Sequence, residues 1–207
     1  AIEEGLALIP GLLSMIPSAA IHIAVYILTA LSLYTIATRR GINHPWLSWV
    51  PVANVWILGS LSDQYRYVVK GENKSKRKIL VVLQVISAVL SLLMMVAAVI
   101  ALVEVAEGMM FQFYEDEILE DVVGPLLSII GLSLPLAGVA VATAVVRYMA
   151  LYDLYTSCDP QNNVLFLVLS VLFGVTEPFF LFFSRNKDGG MPPRREAPQY
   201  VPLESTW

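Results

Sequence analysis

Charge is scarce in this chain. Only 14% of the 207 residues are Asp, Glu, Lys or Arg, where a soluble domain carries about 25%. The deficit is concentrated in long apolar runs, and 57% of the residues are hydrophobic. That excludes an ordinary soluble globule and points to an all-α, polytopic transmembrane bundle whose core is built between helices in lipid. Cysteine is scarcer still: Cys158 stands alone, which excludes an internal disulfide and a cysteine-built zinc centre. It reads as a small residue at a helix end. The two histidines, His22 and His44, form no H-E-x-x-H pair. A glycine-rich phosphate loop, a nucleophile elbow and an aspartate dyad are all missing. The sequence therefore implies no cofactor, no metal and no nucleic-acid partner, and it weighs against an enzyme. The N-terminus (Ala1-Ile2-Glu3-Glu4) lacks an initiator Met and the basic region of a signal peptide, so a trimmed residue or leader is expected.

The apolar runs set the spans. Residues 6–16 are too short to cross at about 1.5 Å per residue and read as an interfacial helix closed by Pro17. Residues 17–38 are long enough, as are 79–103. Residues 122–155 would reach about 50 Å if wholly helical, so this span must tilt, kink at Pro135 or protrude. Two apolar stretches are broken: 44–60 by Pro45 and Pro51, and 164–183 by Gly174 and Glu177-Pro178. The first holds Trp46, Trp49 and Trp56, residues that favour the membrane interface, and reads as interfacial or re-entrant. The second makes either a fourth span or a re-entrant segment. One transmembrane domain over 1–185 is expected, with three or four spans, followed by a disordered tail over 186–207.

Eight of the 13 basic residues lie between Arg39 and Lys78, while 104–121 contains none. The positive-inside rule then puts loop 39–78 in the cytoplasm and the acidic loop 104–121 outside. If 164–183 crosses, Arg185, Lys187, Arg194 and Arg195 fall outside against the rule. If it is re-entrant they stay inside, and that reading is preferred. An internal echo agrees: Leu33-Tyr34-Thr35 ends the first span and Leu154-Tyr155-Thr156 the third, each followed by a polar turn and a broken segment.

Five polar residues inside apolar segments are candidates for a role: His22, Asn54, Arg147, Asp153 and Glu177. Buried charge in lipid is costly and marks either function or a structural pair. Arg147 and Asp153 are six apart and point around the helix away from each other, whereas Arg147 and Glu177 can pair across helices. Gly138, Ala140, Ala142 and Ala144 supply small-residue spacing for close helix packing. The basic loop 70–78 suits anionic lipid headgroups. The acidic loop lacks the ligand pattern of a calcium site.

Residues 41–65, GINHPWLSWVPVANVWILGSLSDQY, resemble a motif of multi-pass membrane proteins from Gram-positive, Clostridia-type bacteria. The likeness lies in Trp46-Leu47, Trp49, Pro51, Asn54, Gly59 and Ser62-Asp63, and residues 155–186 look like the end of the same type. The resemblance implies a bacterial plasma membrane and carries no activity. The functional expectation is a non-enzymatic integral membrane protein, a subunit or accessory of a larger assembly with a membrane-protein partner or a second copy. The alternatives are a small oligomeric transporter or channel and, more weakly, an intramembrane enzyme.

Overall fold

The computed structural model describes residues 2–73, 75–111 and 118–193. Among these every regular element is helical. They are α1 (Ile2–Arg40), a 3-10 turn (Pro45–Trp49), α2 (Asn54–Tyr65), a π turn (Arg66–Lys70), α3 (Lys76–Phe111), α4 (Ile118–Cys158), α5 (Asn163–Leu172), a second 3-10 turn (Gly174–Thr176) and α6 (Glu177–Ser184). Three stretches are long and apolar enough to cross a bilayer: Ala19–Arg40, Lys76–Glu104 and Leu127–Cys158.

Neither Pro10 nor Pro17 ends α1, which runs unbroken where a short interfacial helix and a separate span were expected. Each proline deletes one N–H. Leaving the helix in an apolar medium would strand several backbone groups, so continuing it costs less. The same holds for Pro125 and Pro135 inside α4. The acidic loop is also shorter than expected, because α3 and α4 both extend into 104–121. Residues 112–117, with Glu115, Asp116 and Glu117, lie outside the described residues.

Glycine ends α1 by geometry. Gly41 takes φ 68°, its N–H donates to Thr38 O at 3.2 Å, and the Ile42 N–H reaches Ala37 O at 2.9 Å. This is a Schellman closure, which only a residue tolerant of positive φ makes cheaply.

Both broken segments are excursions that leave and return at one end. From Arg40 the chain climbs to Trp49, whose carbonyl accepts the Tyr26 hydroxyl. Tyr26 is 14 residues up α1, about 21 Å from Arg40. α2 then comes back, and Gln64 Nε2 donates to Arg40 O at 3.0 Å. From Cys158 the chain climbs through α5, turns at Gly174–Thr176, and places Glu177 against Arg147, 11 residues up α4 and about 16 Å from Cys158. α6 returns, and the Gly189 N–H donates to Cys158 O at 3.1 Å. Residues 164–183 therefore fold back as two short helices, and Asn163–Leu172 is shorter than the three stretches that could cross.

The two halves exchange these hairpins: α2 packs on α4, and α6 packs on α1. The burial register repeats as well. At the 121-residue spacing that relates Leu33 to Leu154, buried Ala30, Ser32, Leu33, Ile36 and Ala37 correspond to buried Leu151, Asp153, Leu154, Ser157 and Cys158. At that spacing Tyr26 corresponds to Arg147, and each holds the apex of its own half's hairpin. The core lies where the hairpins interleave, around Ile36, Ile57, Leu61, Leu80, Leu151, Leu154, Tyr155 and Leu181. Away from this basic end, α3 and α4 pair with each other as a hairpin, and α1 makes no more than glancing contact with either.

Candidate functional site

The densest polar cluster is built on Asp153, which is fully buried. Its Oδ2 accepts from Ser62 Oγ at 2.6 Å, Arg66 Nε at 2.7 Å and Lys76 Nζ at 2.7 Å. Its Oδ1 has no hydrogen-bond partner; Lys70 Nζ stands 3.9 Å away. Three of these partners come from the second half of α2 and the π turn, and Lys76 opens α3. The carboxylate on α4 thus ties that helix to the α2–α3 junction, 77 to 91 residues earlier in the chain. Arg66 also pairs with Glu72 at 3.0 Å. The hydrogen bond to Asp153 first, and the two carboxylates' charges after it, push the Arg66 guanidinium further up against the opposing effect of burial.

Beside it, Asp63 caps α3 from a distance. Its two carboxylate oxygens accept the backbone N–H groups of Lys76 at 2.8 Å and Arg77 at 3.2 Å. The helix would otherwise begin with orphan donors, and a negative charge there also complements its dipole. α2 and α3 can meet this closely because residue 59 is glycine. A Cβ there would lie 2.8 Å from Arg77 N and closer still to its Cα.

A second polar centre lies about halfway up. Arg147 Nη2 donates to Glu177 Oε1 at 2.6 Å. The Glu177 side chain is 9% exposed, while that of Arg147 reaches in from the rim at 40%. With Thr29, Asn54, Leu33 and Leu151 among their neighbours, the pair borders a void of about 10 Å³, the lower limit for one water molecule. Both hairpins contribute, Asn54 from α2 and Glu177 from α6.

The third feature is a strap after α6. Asp188 takes Arg39 and Arg40 together; its Oδ1 accepts from Arg40 Nη2 at 3.0 Å and Nε at 3.2 Å. Arg40 also donates to Ser157 Oγ at 2.9 Å and Cys158 Sγ at 3.3 Å. Lys187 reaches Asp159 at 2.7 Å. That hydrogen bond leads the causes holding the Asp159 carboxyl below the usual carboxylate range. Residues 186–193, assigned by composition to a disordered tail, are therefore tied to α1 and α4. Residues 194–207 lie outside the described residues.

Of the residues singled out from the sequence, Arg147, Glu177 and Asn54 come together, while Asp153 belongs to a separate cluster. His22 is exposed on α1, seven residues and about 10 Å beyond Thr29. Gly138, Ala140 and Ala142 are exposed, and nothing lies within 4 Å of where a Gly138 Cβ would be. Close packing inside the chain occurs at Gly59 instead. Sequence reasoning missed Ser62, Arg66 and Lys76 as partners of Asp153, Asp63 as a cap, and Asp188 as the clasp of Arg39 and Arg40. The signal available was an excess of charge in 62–78 facing one lone acid in a span. Among the described residues no group of His, Cys, Asp and Glu is arranged to hold a metal. Comparison with family models, curated proteins and solved structures finds no match for this chain.

Proposed function

We propose that this protein is a non-enzymatic integral membrane subunit, an accessory of a larger membrane assembly. The observation that carries the reading is the contrast between its two ends. The basic end packs its own core from all six helices. Beyond it, α1 stands apart from the α3–α4 pair, and only 6% of the α3 span's most apolar window and none of that of α4 is buried. A groove of about 440 Å³ along that pair is lined by Ala97, Ala101, Gly124 and Ser128, with Glu104 at its edge. Small residues let a partner helix approach closely. The charge distribution supports a cytoplasmic basic end, and the resemblance of residues 41–65 supports a bacterial plasma membrane. Purification in a mild detergent tests the reading. A stoichiometric partner protein is expected in the native mass; a clean homo-oligomer would displace the accessory role.

A second reading is favoured by one observation, the meeting of two re-entrant hairpins at Asn54, Arg147 and Glu177. Broken helices converging from two related halves are how small transporters build midplane sites. Flux that is lost in Glu177→Gln, with folding intact, would promote this reading; unchanged flux would remove it.

A further inference from the structure

On α4, Val141, Ala144, Tyr148 and Tyr152 line an apolar groove of about 480 Å³ that Leu167 of α5 also borders. Arg66 stands at its end nearest the basic face. From Tyr152 to Val141 the groove follows 11 residues of helix, about 16 Å. That is about half of a 30 Å hydrocarbon core, the reach of one acyl chain from its own leaflet's interface to the midplane.

Among the described residues the charge at the groove's end is not balanced. Arg66, Lys70 and Lys76 surround Asp153, and Glu72 adds one more carboxylate on Arg66. Asp63 stands against Lys76 and Arg77 as well, so among the described residues four cations face three anions and one positive charge is left over. Of the three cations on Asp153, Lys70 is the most open: its side chain is 38% exposed, and its Nζ sits 3.9 Å from a carboxylate already held by two closer cations. Lys70 does not line the groove itself; it meets Arg66 at Asp153 and rests over the Tyr65 ring, 5.6 Å from its centroid.

We propose that this groove is a binding site for one anionic glycerophospholipid, with an acyl chain along Val141–Tyr152 and the phosphate at Lys70 and Arg66. The excess charge selects the anionic headgroup, and the groove length selects a membrane-resident chain over a soluble phosphate. The site needs only that the protein sits in a bilayer, so it stands or falls independently of the subunit reading.

The full chain, reconstituted with equal amounts of phosphatidylglycerol and phosphatidylcholine and taken into mild detergent, would be read by native mass spectrometry. One phosphatidylglycerol retained per protomer is expected, at least about fivefold over phosphatidylcholine, as one basic residue at an anionic surface supplies. Lys70→Gln should erase that preference. Ala144→Leu, which fills the groove and leaves every basic residue in place, should lower retention of both lipids. On the unaltered chain, millimolar glycerol 3-phosphate should fail to displace the bound lipid. Equal retention of the two lipids overturns the headgroup assignment. Displacement by glycerol 3-phosphate, or full phosphatidylglycerol retention in a folded Ala144→Leu, overturns the groove.

Discussion

Lys76, the first residue of α3, and Asp153, five residues from the end of α4, meet at 2.7 Å in the interior of the basic end. The Lys76 side chain is 7% exposed and that of Asp153 is not exposed at all. The pair fixes where the α3–α4 hairpin enters the core. With Arg66 and Ser62 added, one carboxylate organises the junction of α2, α3 and α4.

Removing only the acid leaves Lys76 buried without its counter-charge and Arg66 with Glu72 alone. Asp153→Ala should therefore destabilise by about 3–5 kcal/mol. Lys76→Met leaves Arg66 and Ser62 on the carboxylate and should cost less. The double variant should cost less than the sum of the two, because neither partner is then left uncompensated. Thermal unfolding in detergent checks all three, and strict additivity would show that the contact contributes nothing.

The cap on α3 is separable from this cluster. Asp63→Ala removes the acceptor for two backbone N–H groups and should cost about 1–2 kcal/mol. Asp63→Asn keeps an acceptor and should recover more than half. Equal loss in both variants would mean that charge, not capping, is what Asp63 supplies.

Glycine substitutions should divide sharply by position. Alanine is a better helix former than glycine by about 1 kcal/mol. At Gly138, with nothing within 4 Å, Gly138→Ala should be neutral or slightly stabilising. At Gly59 the new methyl would press on the Arg77 backbone, and the overpacking cost of about 1–3 kcal/mol outweighs the propensity gain. Melting temperatures of the two variants should move in opposite directions or differ clearly.

The strap should be insensitive to mild acid. Asp159 has a depressed pKa, so its contribution is fully present above the unfolded carboxylate value of about 3.9. It is lost only as pH falls through the lower folded value. Exchange protection at the Gly189 and Gly190 amides, corrected for intrinsic rate, should be flat from pH 8 to 5. Lys187 is 54% exposed, so Lys187→Ala should reduce protection by less than about 1 kcal/mol. A protection step near pH 6 would contradict the assignment.

Topology follows from the same strap. A cysteine at Lys187 should be labelled by an impermeant reagent from the same side as one at Ser75, and from the opposite side to one at Glu104. Buried Cys158 gives little background. Labelling of positions 187 and 104 from one side would restore a fourth crossing.

The class of this protein was legible from run lengths alone. Lipid offers no hydrogen bonds, so a long apolar run has to be helical, and 79–103 could be read as nothing else. Proline misled at Pro17, because proline's preference for helix starts assumes that water is available to satisfy the groups it frees. The acidic residues of 104–121 misled in the same direction, since helices extend past the apolar stretch.

Single polar residues were legible as conspicuous, and their partners were not. Arg147 and Glu177 stood out because each carries charge in an apolar segment, and a pairing between them was within reach of the sequence. Asp153 stood out equally, but its partners Arg66 and Lys76 sat in a basic run whose role in orientation was sufficient explanation. Composition and periodicity determined that at least three helices suit a bilayer and that basic charge gathers at one end. Only tertiary structure decided that the two broken segments turn back, that they trade places between the halves, and that Asp188 clasps Arg39 and Arg40. The physical reason is range. Helix formation is settled within a few residues along the chain, whereas Lys76 and Asp153 are 77 residues apart and recognise each other only after the packing of α2 has brought them together.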